Sequence, residues 1–313
     1  MSTSPTIDWK TSGVKRWAAV LDRLPHSAVE QTWAFGEATR LHARRQIMRG
    51  IITCKGADIG LIQAQGRSFG PLTFWLLPRG PHFVDDVPED VKILVYRLIR
   101  QKLNIRQGDF LLWLPELIDT PESLKTMRTL RMRRLVTGYH SGWLDLTTPP
   151  GVLRSTFRKN WLGALKIAEK SRLKVRLSHT GKTLTWLLEQ ADKHRKTGGY
   201  QGTSGAFAHM LAGLTPNRGD ILTLTAEQDG KPVAGMLFII HGKCATYYMG
   251  WNGEDGRPLN AHHLLLWHGI QELHNRHITA LDLGGIWTEG NTGVARFKLG
   301  VSPKVYSLAG IFA

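Results

Sequence analysis

The amino-acid sequence predicts an α/β (α+β) protein of two similar halves, each a mixed or antiparallel β-sheet flanked by helices. Three observations support this fold class. The chain has 313 residues, which is more than one ordinary core requires and suits two domains of average size. Hydrophobic residues make up 42% of it, enough for two cores. The order helices, β-meander, helix, strand occurs twice, without evident residue identity between the halves.

The elements of the first half follow from turn signals and periodicity. Glycine-bearing turns separate its β-rich runs, and Pro25 ends the first helix. Apolar residues spaced by three and four indicate the helix that follows the meander. The predicted elements are helix Gly13–Leu24, a helix from about Trp33, strands Gln46–Cys54, Asp58–Gln65 and Leu72–Leu77, helix Asp90–Leu103, and strand Phe110–Leu114.

A basic segment joins the halves. It contains a predicted helix Pro121–Arg134, a strand Gly142–Leu146 and the pair Pro149-Pro150, which marks a seam. We therefore expect a first domain over residues 1–148 and a second over 149–313. Leu153–Lys170 begins the second domain as an amphipathic helix whose charged face carries Arg154, Arg158, Lys159, Lys166 and Lys170.

The second half repeats the earlier plan. Asp229-Gly230 is a strong hairpin signal between two of its strands. The predicted elements are helices Leu184–Lys196 and Ala206–Leu214, strands Ile221–Gln228, Pro232–His241 and Ala245–Trp251, helix Asn260–Arg276, and strand Thr279–Leu283.

The charge balance indicates a polyanionic partner. There are 41 Lys and Arg against 25 Asp and Glu, a formal net charge of +16. Such a surplus favours RNA, an anionic lipid surface or a phosphorylated substrate, and it also fits a merely basic surface. No signal peptide or membrane span is predicted, and Cys54 and Cys244 lie far apart in strand-like contexts, so we expect a cytoplasmic protein.

Metal and covalent chemistry are not indicated. The histidines around 262–277 lack the spacing and acidic partner of a zinc site, and neither cysteine nor a serine elbow supplies a nucleophile. We expect no metal and no cofactor. Of the tryptophans, Trp287 is the candidate site residue, because it follows a glycine pair.

That glycine pair belongs to the most informative run. Asp282-Leu283-Gly284-Gly285-Ile286 is a buried strand that opens into two glycines, which permit close approach by a ligand. We expect the following turn to deliver Arg296 and Lys298 to the same neighbourhood. A strand end with a solvated basic turn is the alternative.

The run Asp282–Ile286 with Arg296–Gly300 resembles the C-terminal signature of the Fem transferases, which add amino acids from aminoacyl-tRNA to peptidoglycan precursors. The resemblance extends over most of the chain. Gln31–Trp33 is similar to the family's Gln-x-x-Trp segment, Arg79-Gly80-Pro81 to its Lys/Arg-Gly-Pro turn, and Arg158–Lys170 to its basic linker helix.

The resemblance implies two tandem GNAT-like domains and an aminoacyl-tRNA donor. It implies that Lys298 lies near the scissile ester, where an ammonium stabilises the oxyanion or holds the donor's terminal phosphate. It also implies that Arg79 contacts phosphates of an anionic or lipid-linked acceptor. Arg158, Lys159 and Lys166 of the basic helix are expected to contact RNA, because their charges would displace condensed counterions.

Three departures from the family pattern put the acceptor in doubt. Leu114 replaces an aspartate, and Phe35 replaces a lysine for which Arg40 is the nearest basic substitute. The family pattern also leads us to expect a phosphate-binding arginine around Gly198-Gly199-Tyr200, and the sequence has none there. The acceptor is therefore open, and a nucleotide-linked muropeptide is not required.

Three functions remain as alternatives. The first is a Fem-type aminoacyltransferase, with peripheral contact to an anionic membrane surface. The second is a GNAT N-acyltransferase that uses acyl-CoA or an acyl-carrier protein, although the nearest copy of a pyrophosphate-binding turn, Gln63–Ser68, is incomplete. The third is a non-catalytic module that binds RNA or membranes.

Overall fold

A computed structural model describes residues 4–10, 13–104, 108–198, 202–286 and 292–313. The chain divides into two compact units. The first comprises Met1–His140 together with Tyr306–Ala313, and the second comprises Ser141–Val305. The boundary thus lies at 140/141 rather than the expected 148/149, and the last eight residues return to the first unit.

The first unit is built on a mixed, mainly antiparallel sheet. In the described residues its strand order is β1-β2-β3-β4-β6-β15-β7, with β5 paired to β3. Its elements are β1 Thr6–Asp8, α1 Val14–Leu21, α2 Trp33–His42, β2 Gln46–Cys54, β3 Ala57–Phe69, β4 Leu72–Pro78, β5 His82–Phe83, α3 Glu89–Lys102, β6 Asp109–Leu114, α4 Pro121–Thr129, β7 Arg134–Val136 and β15 Ile311–Phe312.

Both faces of this sheet bury apolar residues. Val95 and Ile99 of α3 pack on one face with Trp113, and Trp17 of α1 packs on the other with Leu61. Buried amide groups fix the start of α2: Gln31 Nε2 donates to the carbonyl oxygens of Gln63 and Pro78. This bonding holds the α2 N-terminus against β3, because a buried amide left unpaired would be costly.

The second unit has its own mixed sheet. Its strand order in the described residues is β14-β8-β13-β12-β11-β10-β9, and β12–β13 is a parallel pair among antiparallel ones. Its elements are β8 His140–Asp145, α5 Pro150–Ser155, α6 Lys159–Lys170, β9 Lys174–Ser178, α7 Lys182–Gly198, α8 Gly205–Leu214, β10 Ile221–Gln228, β11 Lys231–His241, β12 Cys244–Asn252, α9 Ala261–Asn275, β13 Ala280–Asp282, α10 Thr292–Leu299 and β14 Lys304–Ser307.

Helix α9 forms the centre of the second core. Leu265, Leu266 and Ile270 are fully buried in a cluster with Phe238 of β11 and Leu281 of β13. The crossover β12–α9–β13 is the connection that a parallel pair requires. The fold therefore contains two units of helices and mixed sheet, and the predicted fold class is confirmed.

Several predicted elements need correction. The predicted helix Leu153–Lys170 is two helices, α5 and α6, and the predicted helix Pro121–Arg134 ends at Thr129, so that Arg134 lies in β7. The expected turn over 293–300 is mostly helix α10. Among the described residues, no helix is both long and apolar enough to cross a membrane.

Candidate active site

Two splayed strands create a cavity in the second unit. β12 and β13 pair in parallel at only three positions, the last being Thr246 opposite Asp282. β13 ends there, whereas β12 continues to Asn252. Within the described residues, β12 and β13 therefore have no paired positions beyond Thr246, and a cavity of about 890 Å³ lies along this part of β12.

β12 contains a bulge where it borders the cavity. Its pairing with β11 shifts register between Leu237 and Phe238, which leaves Tyr248 as an extra residue. A regular strand presents alternate side chains to one face, and the bulge shifts this alternation at Tyr248. Residues 247–252 all line the cavity. The other lining residues are His194, Gly202, Arg257, Asn260, His262, His263, Gly285, Gly293, Val294, Phe297 and Lys298.

Lys298 lies on the buried side of α10. Its Nζ donates a hydrogen bond of 2.9 Å to the carbonyl oxygen of Gly285 and lies 5.5 Å from the centroid of the Tyr247 ring. Burial lowers the pKa of the Lys298 ammonium to about 8, although nearby Asp282 opposes the shift. The lysine thus carries most of its charge at neutral pH while being only 8% exposed.

Asp282 and Ser141 shape the turn that faces Lys298. The fully buried Asp282 accepts the Gly284 N–H at 2.9 Å. Ser141 Oγ lies 2.6 Å from Asp282 Oδ1 and 2.9 Å from the Gly284 oxygen, and its single proton serves one of them at a time. Gly284 has φ +70°, the left-handed region that favours glycine. The carboxylate therefore stabilises a turn that aims the Gly285 carbonyl at Lys298.

The cavity carries positive charge. Its lining residues, within the described part of the chain, include Lys298 and Arg257 but neither aspartate nor glutamate. His262 and His263 add no charge at neutral pH, because burial lowers the pKa of each imidazole to about 4. Burial also raises the pKa of the Tyr247 hydroxyl, which therefore stays protonated. The wall is aromatic and cationic, a combination that suits an anionic ligand with a planar ring.

The structure brings together part of the predicted site. Gly284, Gly285 and Lys298 meet as described above. Arg296 does not join them. It is exposed and does not line the cavity, because residues two positions apart on a helix, such as Arg296 and Lys298, point in directions that differ by about 200°. Trp287 lies outside the described residues.

Arg79 of the first unit is committed to a buried ion pair. Its guanidinium donates to Glu116 at 2.7 and 2.9 Å and to the Tyr306 hydroxyl at 2.7 Å. Arg79 is only 4% exposed, and its backbone has φ +49° before the cis Gly80–Pro81 bond. These contacts fix the turn, whereas a phosphate contact was expected of this residue.

Arg40 lies on the exposed side of α2 and pairs with Glu37 at 2.7 Å. The more enclosed arginine nearby is Arg49 of β2, which sequence reasoning missed. Its guanidinium lies 3.7 Å from the centroid of the Trp33 ring and 2.9 Å from Glu37. A charged residue in the middle of the apolar strand Gln46–Cys54 is the signal that could have identified it.

The predicted RNA-binding residues lie at one helix. Arg158 caps the N-terminus of α6, Lys159 is its first residue and Lys166 follows two turns later; all three are exposed. The opposite side of α6 buries Trp161 and Leu165. The predicted separation into a cationic and a buried face is therefore present over Lys159–Lys170.

Tyr247, His262 and His263 were also missed. The two histidines were considered only as metal ligands. Periodicity gives no reason to select Tyr247, because the bulge and the splayed strands arise from pairing between distant segments. Within the described residues no group of three or more His, Cys, Asp or Glu side chains could hold a metal ion.

Comparison with known proteins agrees with this architecture. Residues 155–299 match the family model described as Acetyltransferase (GNAT) domain. No curated protein matches the sequence closely enough to count as a relative. The match lies in the second half of the chain, the half that contains the cavity, and supports acyltransferase activity of a GNAT-type domain there.

Solved structures extend the likeness to the whole chain. The crystal structure of FemX is 11% identical with a TM-score of 0.80, covering 97% of this chain and 96% of that one. A tandem GNAT protein from the clavulanic acid biosynthesis pathway is 11% identical with a TM-score of 0.56, covering 99% and 98%. The C-terminal domain of a putative lysylphosphatidylglycerol synthetase from Agrobacterium fabrum is 12% identical with a TM-score of 0.56, covering 96% and 92%. The likeness to tandem GNAT and Fem-type proteins is confirmed for the fold.

Proposed function

We propose that this protein transfers an aminoacyl group from aminoacyl-tRNA to an amine of a cell-envelope precursor or related metabolite. The observation that carries the proposal is Lys298, a buried ammonium beside a splayed-strand cavity whose lining is cationic and aromatic. The likeness in fold to FemX and to the lysylphosphatidylglycerol synthetase domain supports aminoacyl transfer as the class of reaction. The net charge of +16 supports a polyanionic donor.

The reaction needs positioning and charge stabilisation more than a covalent nucleophile. The acceptor nitrogen forms a bond to the ester carbonyl carbon, the carbon–oxygen bond to the terminal ribose breaks, and one proton passes from the amine to the leaving hydroxyl. Negative charge develops on the carbonyl oxygen during attack. An ammonium already in place at that oxygen stabilises the transition state by about 3 kcal/mol, or about a hundredfold in rate.

Lys298 has the properties that this step requires. Its pKa of about 8 leaves it protonated at neutral pH, and its burial strengthens its interaction with a developing oxyanion. The Gly285 carbonyl orients the ammonium before substrate arrives. The aromatic wall formed by Tyr247, Trp251 and Phe297 suits the terminal base of the donor.

An acyl-CoA donor is the second candidate. The family model is that of an acetyltransferase domain, which favours it. Against it, the nearest copy of a pyrophosphate-binding turn, Gln63–Ser68, lies inside strand β3 and therefore does not open a helix. CoA also ends in adenosine, whose base would suit the same aromatic wall, and the transfer assay distinguishes the two donors.

Single-turnover transfer tests the proposal. Purified protein is mixed with separately charged tRNAs and a cell-envelope precursor fraction, in parallel with acetyl-CoA, and loss of the ester or thioester is followed. We expect transfer from one charged tRNA and a loss of about a hundredfold in Lys298→Met.

Arg296→Met is the matched control, because it removes a cation from the exposed side of the same helix. It should retain the wild-type rate. Transfer from acetyl-CoA alone would replace the proposed donor, and a wild-type rate in Lys298→Met would remove Lys298 from the reaction.

A further inference from the structure

A second candidate binding surface lies on one face of the sheet in the first unit. It consists of Arg67 and Phe69 on β3, Leu72 and Phe74 on β4, and Phe110 and Leu112 on β6, and we call these six residues the phenylalanine patch. Register places them on one face of the sheet: Arg67 and Phe110 both lie opposite Phe74, and Phe69 lies opposite Leu72. Leu112 follows Phe110 by two residues and so projects to the same side.

The apolar side chains of the patch are unusually accessible. Phe69 is 55% exposed, Phe74 45%, Leu112 40% and Leu72 39%. Phe69 and Leu72 flank the Gly70-Pro71 turn, so they stand at the tip of a hairpin. Single exposed apolar residues are ordinary, but a contiguous group on one sheet face indicates a binding surface.

The arrangement of the rings argues against RNA as the partner. Phe74 and Phe110 stack at 5.0 Å with planes 12° apart, and Phe69 meets Phe74 edge to face at 5.9 Å. The Arg67 guanidinium lies 5.1 Å from the centroid of the Phe69 ring. Ring faces are what a nucleic-acid base needs for stacking. Here the Phe74–Phe110 stack occupies one face of each of those rings, and the Arg67 guanidinium lies over the Phe69 ring, so fewer faces are left for a base. The ring edges and leucine methyl groups are left to meet an apolar medium.

Charge near the patch favours an anionic apolar medium. Arg67 belongs to the patch, and Arg44 and Arg45 immediately precede β2. The side chain of Gln46, the first residue of β2, bonds to Ser68 Oγ at 2.8 Å, so these arginines lie at the same end of the sheet as Phe69. The patch itself contains no carboxylate. Apolar residues flanked by arginines are typical of surfaces that enter the headgroup region of anionic bilayers.

We propose that the phenylalanine patch docks this protein on an anionic membrane surface. Phe69, Leu72 and Phe74 enter the boundary between headgroups and acyl chains, and Arg67 contacts lipid phosphate. The proposal rests on the first unit alone and does not depend on which acyl donor the second unit uses.

Co-sedimentation of the full-length protein with vesicles tests this proposal. Binding is compared between vesicles of phosphatidylcholine alone and of phosphatidylcholine mixed with phosphatidylglycerol. We expect binding to the mixed vesicles, weakened about tenfold in Phe69→Ser or Phe74→Ser, since each ring buries apolar area in the bilayer. Arg67→Glu should weaken binding chiefly at low salt.

Ile167→Ser is the matched control, because Ile167 is 56% exposed on α6, outside the patch. It should bind mixed vesicles as the wild type does, and unchanged melting temperatures show that the variants are folded. Equal vesicle binding by Phe69→Ser, Phe74→Ser and wild type would overturn the proposal. So would a loss in these variants of tRNA binding, or of a dimer seen by light scattering, while vesicle binding remains.

Discussion

Burial gives Lys298 a pKa of about 8, so its charge is present at neutral pH and is lost at mildly alkaline pH. If the ammonium stabilises the oxyanion, the single-turnover rate should fall as pH rises through about 8. Lys298→Arg should retain part of the activity and should not show this loss, because a guanidinium stays protonated. Rate–pH profiles of the two proteins provide the measurement, and coincident profiles would argue against Lys298 as the titrating group.

The same burial carries a cost to stability. Between about pH 8 and pH 10.5 the unfolded chain binds more protons at this lysine than the folded one, so wild-type stability should rise with pH in that window. Lys298→Met keeps the apolar stem and removes the buried charge.

We expect Lys298→Met to melt no lower than the wild type at pH 7 and to lose the rise above pH 8, while activity falls about a hundredfold. Thermal melting across this range, paired with single-turnover transfer, checks the prediction. A large fall in melting temperature would indicate that the ammonium is needed for folding.

Gly284 has a left-handed backbone conformation and lies close to Lys298. A Cβ added there would lie 3.3 Å from the Tyr247 carbonyl oxygen and 3.5 Å from Lys298 Nζ, and φ is +70°. Gly284→Ala should therefore cost about 1–2 kcal/mol of stability, the usual cost of a left-handed non-glycine residue.

Activity of Gly284→Ala should fall further than this stability loss explains, because the added Cβ lies beside Lys298 Nζ and in the turn that positions the Gly285 carbonyl. Gly230→Ala is the comparison, since Gly230 also has positive φ, at +79°, and has open space around it. Equal effects of the two substitutions on activity would make Gly284 a purely structural residue.

At the level of elements, the two units differ in how their central parallel strands pair. In the first unit β4 and β6 remain paired over six positions, from Thr73 opposite Asp109 to Pro78 opposite Leu114. In the second unit β12 and β13 part after three. The cavity in the second unit follows from this short pairing and from the bulge in β12.

Helix α6 offers a test of the polyanion interaction. Charge reversal of Arg158, Lys159 and Lys166 should weaken tRNA binding at low salt. It should also reduce the slope of log affinity against log salt by about 2 to 3, because fewer counterions are released. Affinity titrations at several salt concentrations measure this.

The control changes charge by the same amount elsewhere. Lys231, Lys243 and Lys304 are exposed lysines outside α6, and their reversal leaves α6 unchanged. If both triple variants shift the slope equally, the net charge and not α6 determines the affinity.

Local signals predicted the long elements and failed for elements made by distant contacts. Strands Gln46–Cys54 and Ile221–Gln228 have the predicted bounds, because turn signals and apolar runs specify them locally. Helix α10 was expected as a turn, because glycines stand near both of its ends. Its buried side carries Ala295 and the stem of Lys298, a contact with distant segments that no local signal records. The two-residue strand Ile311–Phe312 exists only through its partners, so the sequence gives no sign of it.

The candidate site was predictable to the same extent. The strand end at Asp282 and the Gly284-Gly285 pair are local features, and the sequence located them. The wall formed by Tyr247, His262 and His263 depends on register between β11, β12 and β13. A slip of one residue in that register would turn Tyr247 to the other face, and no local pattern records it.

At the scale of the whole molecule, the second unit is an insertion into the first. The chain leaves the first unit at His140 and returns at Tyr306, where the Leu308 N–H donates to the Tyr139 carbonyl oxygen at 3.0 Å. The returning strand β15 lies between β6 and β7 in the sheet. Its Phe312 is 2% exposed and lies opposite the fully buried Trp113.

This connectivity predicts which pieces fold. Residues 1–140 alone lack the strand that joins β7 to the sheet and leave Trp113 without its partner, so they should not melt cooperatively. Residues 1–140 joined to 306–313 by a short glycine-serine linker should fold, because the two ends already lie within hydrogen-bond distance.

Within the full chain, Phe312→Ala should cost about 3–5 kcal/mol, as for other fully buried phenylalanines. That loss should appear as a lower melting temperature of the first unit. Calorimetric melting of the four proteins checks these outcomes. A fragment 1–140 that melts as sharply as the linked chain would show that β15 adds no stability to the first unit.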